Sequence, residues 1–161
     1  MAEIIDRPRE GTPSSTATGG PARPVVLATL SVRVEPEAER VALESALEAS
    51  VRLIIANMLP MPGYSTTLRL APQYVTLPHE EDLEAVRETA HRAAALGIPT
   101  ELLRVMSPRP LTALIELIHE RRPGLVVLGP DVNRTSRWRL RRAARRVRDE
   151  VDCLVWIAPD G

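Results

Sequence analysis

The chain of 161 residues contains no phenylalanine and no lysine, and its one cysteine is Cys153. Tyr64, Tyr74, Trp138 and Trp156 are its only aromatic residues. A core must therefore be built from Leu, Val, Ile and Ala, and a 44% hydrophobic content is enough to supply one. A single thiol excludes an intrachain disulfide and leaves no cysteine-rich metal cluster. No run of about 18 apolar residues is present, so no membrane-spanning helix is expected. The opening MAEIIDRPREG lacks a basic region followed by an apolar stretch, so no secretion signal is expected either. Together these absences point to a reducing, cytoplasmic setting. Net charge is also missing, because 21 arginines balance 21 acids. Nothing global steers the molecule toward nucleic acid or a lipid surface.

The neutral sum hides an asymmetry. Eight arginines (134, 137, 139, 141, 142, 145, 146 and 148) fall within fifteen residues, whereas 35–120 is acid-rich. Residues 6–24, DRPREGTPSSTATGGPARP, are rich in Pro, Gly, Ser and Thr without hydrophobic periodicity. They read as a flexible tail, so residues 1–23 are expected to be disordered and a single domain to occupy 24–161.

From Val25 the pattern alternates. VVLATLSV (25–32) is a nearly continuous apolar run, as for a strand covered on both faces. Pro36, Glu37 and Glu39 suit a first helical turn. Leu43, Leu47, Val51, Ile54 and Met58 then recur at helical spacing, which predicts a helix running to LPMPG (59–63). STTLRLA (65–71) reads as the second strand, and an acid-led helix ends at Gly97. TELLRVM (100–106) is a third strand, 110–124 a short helix, LVVLG (125–129) a fourth strand and CLVWIA (153–158) the last. Between those two strands lies the arginine helix. Its wheel places Leu140, Ala143, Ala144, Val147 and Val151 on one narrow face, with arginine over much of the rest. Five strands alternating with four helices predict an α/β fold: a doubly wound, mainly parallel sheet, Rossmann-like, with helices on both faces.

Ligands in such sheets bind beyond the carboxyl ends of the strands, where strand order reverses. If the first and fourth strands are neighbours, that crevice lies between 31–34 and 129–134. Gly129 closes the fourth strand there. Asn133, Thr135 and Ser136 can cap the following helix, and Arg134 flanks it, so these five residues form a candidate anion site. Helix capping alone also accounts for Thr135 and Ser136. Trp138 is out of place, on the arginine side of the wheel. His79, His91 and His119 lack metal-ligand spacing, and Ser31 has no readable His–Asp partner, so neither a catalytic nor a metal site is expected. The arginine helix reads first as a solvated face or one that pairs with an acidic protein partner. Nucleic-acid binding lacks a groove-fitting motif.

The second half, "AAALGIPTELLRV…ALIELIHERRPGLVVLGP…RRVRDEVDCLVWIAP", resembles the universal stress protein (UspA-like) family in the order and spacing of its elements. The resemblance spans residues 24–158 and is strongest over 90–158. It implies a five-stranded sheet of order 3-2-1-4-5 and a homodimer formed through the last strand, here Leu154, Val155, Trp156 and Ile157. The bulky apolar composition of that strand agrees with an edge that invites pairing. ATP-binding members of the family carry a Gly-x-x-Gly motif after the fourth strand, then nine residues and Gly-Ser or Gly-Thr. In this chain Gly129 matches the first glycine, but Val132 stands at the second. Arg141 and Arg142 fall near the third glycine, with Ala143 and Ala144 following, and Leu30 aligns with the family's nucleotide-binding Asp. Glycine lets backbone N–H groups approach phosphate closely, and a β-branched valine makes such a turn costly. The expectation is a non-catalytic binding or regulatory protein of the stress response, a homodimer with no cofactor, in which ATP held in the family manner is disfavoured. An atypical ATP or AMP binder using the loop after the fourth strand is one alternative. An arginine-helix module docking an acidic protein or nucleic acid is another.

Overall fold

The computed structural model describes residues 22–61, 80–131, 133 and 135–158. Within them the chain runs β1 (Val25–Leu30), α1 (Pro36–Glu48), β2 (Leu53–Pro60), α2 (Glu80–Ala95), β3 (Thr100–Ser107), α3 (Pro110–Arg121), β4 (Leu125–Leu128), α4 (Arg137–Glu150) and β5 (Leu154–Ile157). All four pairings are parallel and give the strand order β3-β2-β1-β4-β5. Central β1 is sandwiched between β2 and β4, with Val26 opposite both Ile54 and Val126. That position explains why its residues are apolar without alternation: both faces are covered.

The covering helices divide into two layers. Val26, Ala28, Ile54 and Met58 pack with Leu114, Leu140 and Val147 under α3 and α4. Val25, Leu27, Leu53 and Ile55 pack with Ala38, Ala42 and Val86 under α1 and α2. The narrow apolar face expected of α4 is the buried one, comprising Leu140, Ala143, Ala144 and Val147. Among the described residues no helix is long and apolar enough to cross a membrane.

One element differs from the expectation. The first helix stops at Glu48, and Leu53–Pro60 is a strand rather than its continuation. The buried face of α1 is Ala38, Ala42 and Ala46, while Leu47 is exposed. Small side chains let the helix lie close on the sheet, so Leu43 and Leu47 are displaced to its flank. Ser50, at φ 52°, turns the chain out of the helix. The following LIIANML is a fully buried run whose β-branched pair, Ile54–Ile55, favours a strand at the sheet centre. The strand expected over 65–71 and the tail over residues 1–21 lie outside the described residues.

Candidate functional site

With β1 and β4 as neighbours, the reversal of strand order falls where the sequence places it. The crevice there is clasped shut by the chain itself. Val34 and Pro130 form an antiparallel bridge. Glu35 N–H donates to the Gly129 carbonyl at 3.0 Å, and Asp131 N–H to the Arg33 carbonyl at 2.9 Å. Arg33 Nε meets Asp131 Oδ2 at 2.9 Å, while Asn133 N–H donates to Asp131 Oδ1 at the same distance. Asp131 is buried. The β1 end is held by its own side chains: Thr29 donates its hydroxyl to the Val32 carbonyl, and Ser31, at φ 62°, donates its own to the Met58 carbonyl at 3.1 Å.

Gly129 has a specific steric reason to be glycine. A Cβ built there would stand 2.1 Å from Ala38 Cβ of α1. Its missing side chain therefore admits a helix. Ser136 occupies the N-cap position of α4 but makes no capping bond through its side chain. Thr135 and Ser136 line an open cleft, and Asn133 is exposed. Arg134 and Val132 lie outside the described residues.

That cleft, about 540 Å³, opens on the α3/α4 side beyond the ends of β1 and β2. Leu30, Met58, Pro60, Leu111 and Ala143 supply apolar surface, and Arg139, Arg142 and Arg146 of α4 line it as well. Trp138, in the first turn of α4, is 66% exposed, and the Arg142 guanidinium stands 5.4 Å from its ring centroid. This explains why Trp138 falls on the arginine side of the wheel: it borders a cleft rather than the core. Arg146 is braced by Glu150 at 2.8 Å and by Thr112 of α3 at 3.3 Å. An apolar floor, one flat aromatic side chain and guanidinium groups suit a planar ligand that carries negative charge.

Other reactive side chains are quiet. Burial pushes the half-buried Cys153 thiol above its ordinary value; nearby Arg23 opposes this and Asp152 adds to it, so the thiol stays protonated. His119 Nε2 lies 2.8 Å from the Glu150 carbonyl oxygen, tying α3 to the end of α4. His91 is exposed on α2, and His79 lies outside the described residues. Among the described residues no three His, Cys, Asp or Glu side chains gather to hold a metal. Buried polar side chains that the sequence does not single out include Asp131, in the clasp, and Asn57. Asn57, in the middle of β2, is 3% exposed and its Oδ1 has no partner. The available signal was its solitary polar side chain within LIIANML.

A doubly wound parallel sheet with a cleft past the strand ends defines the class of open α/β domains. Within that class, the chain has the universal stress protein fold. The universal stress protein UspA from Lactobacillus plantarum superimposes with a TM-score of 0.64 at 15% identity, over 88% of this chain and 100% of that one. A universal stress protein in complex with cAMP gives 0.59 at 25% identity, covering 86% and 98%. The universal stress protein from Archaeoglobus fulgidus in complex with dAMP gives 0.52 at 20% identity, covering 84% and 96%. No family model and no curated protein sequence matches the chain.

Proposed function

We propose that this chain is a non-catalytic, cytoplasmic binding protein of the stress response, and that it does not hold ATP through a glycine loop after β4. The clasp over the β1–β4 crevice carries this reading. Gly129 is taken up by packing against Ala38, and the buried Asp131 carboxylate occupies the loop that would otherwise cradle phosphate. That carboxylate already accepts the Asn133 N–H, a backbone donor that a phosphate in this loop would need. Titration calorimetry with Mg-ATP tests the proposal: no saturable heat is expected, and ATP that co-purifies with the protein or binds at micromolar concentration refutes it.

A second reading has its own support. The cleft beside Trp138 suits a mononucleotide, with the base against Trp138 and Arg142 and the phosphate toward Arg139 or Arg146. The cAMP and dAMP complexes of similarly folded proteins favour that ligand class. AMP should then quench the Trp138 fluorescence, and Trp138→Phe should remove the response. The free edge of β5 supports a homodimer as part of the same proposal, with Leu154, Val155, Trp156 and Ile157 at the contact.

A further inference from the structure

Asn57 stands in register with Thr29 of β1 and Arg104 of β3, so three polar residues form one row across the α1/α2 face of the sheet. Thr29 satisfies its hydroxyl on its own loop. Asn57 does not: it is 3% exposed and its Oδ1 accepts no hydrogen bond. A buried acceptor without a donor is costly and uncommon in a folded protein. Asn57 faces a cavity of about 290 Å³, walled by Leu83, Val86 and Arg87 of α2 and by Leu102 and Arg104 of β3. The two arginines differ. Arg87 is engaged by Glu84 at 2.9 Å, whereas Arg104 is exposed and makes no ion pair with any described residue.

We propose that this cavity is a second ligand site, distinct from the Trp138 cleft on the other face of the sheet, and that it takes a small α-hydroxy carboxylate with a short alkyl chain. Each part of that ligand answers a feature of the cavity. The unpaired Arg104 guanidinium receives the carboxylate, in the planar two-point manner that arginine favours. The hydroxyl hydrogen-bonds to the Asn57 amide where it borders the cavity. The alkyl chain lies against Leu83, Val86 and Leu102. The volume equals that of about ten liquid waters, which admits a molecule of about ten heavy atoms. An α-amino acid fits less well, because no carboxylate among the described residues lines the cavity to pair its ammonium group.

Calorimetric titration of the full chain with leucic acid, the hydroxy analogue of leucine, tests the site. Saturable binding is expected, weakened about two- to tenfold in isocaproic acid, which lacks the hydroxyl. Asn57→Leu should erase the difference between these two probes, and Arg104→Gln should abolish binding of both. Arg104 is exposed, so its substitution leaves the fold available for the measurement. Failure of leucic acid to bind, binding that survives in both variants, or leucine binding as tightly as leucic acid overturns the proposal. None of these outcomes bears on Mg-ATP or AMP, whose sites lie on other residues.

Discussion

Gly129 shows how one residue can satisfy two descriptions. In the sequence it is the first glycine of a phosphate-binding pattern, and in the fold it is the gap that lets Ala38 sit against the sheet. Gly129→Ala should cost about 1–3 kcal/mol, because the added methyl forces two backbones apart. Adding Ala38→Gly should return part of that loss, since it reopens the same space. Urea unfolding of the single and double variants gives the measurement, and a stable Gly129→Ala protein would sink the packing account. Val132 and Arg142 show two other outcomes. Val132 lies outside the described residues, whereas Arg142, near the family's third glycine, sits inside α4 and stacks on Trp138.

Helices α1 and α2 are joined through Glu39. Its carboxylate accepts from Arg92 Nη2 at 2.8 Å and from the Thr89 hydroxyl at 2.9 Å. Burial by itself would raise the Glu39 carboxyl, but the Arg92 and Thr89 hydrogen bonds and the Arg92 charge hold it below the ordinary glutamate value of 4.5. A carboxyl depressed on folding stabilises the protein fully above its unfolded value. That stability is lost as pH falls from about 4.5 through the lower folded value. Glu39→Gln should therefore flatten the acid limb of stability against pH while leaving the neutral-to-alkaline limb unchanged in shape. Chemical denaturation across that range checks it, and an unaltered acid limb would show that other carboxylates dominate.

Across the whole molecule, neutrality conceals two unlike faces. Helix α4 carries seven arginines against Asp149 and Glu150, while α1 and α2 carry nine acids against Arg40, Arg87 and Arg92. Long-range attraction between copies is therefore salt-dependent, but it does not specify a closed assembly. Strand β5 is an edge among the described residues, with Leu154 74% exposed, and an edge strand can meet its own copy across a two-fold axis. The proposed homodimer predicts a solution mass of twice 17.7 kDa by light scattering. Leu154→Arg should shift it toward monomer with little loss of fold, since the side chain is solvent-facing. A wild-type protein that runs as a monomer at high concentration would exclude this contact.

What the amino-acid order determined by itself was local and periodic. The alternation from Val25 onward, the doubly covered β1, the narrow apolar face of α4 and the resemblance carried by 90–158 all follow from spacing along the chain. Helical spacing extends α1 past Glu48 because Val51, just before β2, and Ile54 and Met58, within a strand buried on both faces, keep a helical interval by coincidence. Periodicity cannot separate those two cases over so short a run. Only the tertiary structure decided what surrounds Gly129 and Asn57. Their neighbours Ala38 and Arg104 stand 91 and 47 residues away along the chain and are brought near by the crossovers of a parallel sheet. The same packing makes Trp138, out of place on the arginine side of the wheel, the wall of a cleft, because clefts form where elements meet.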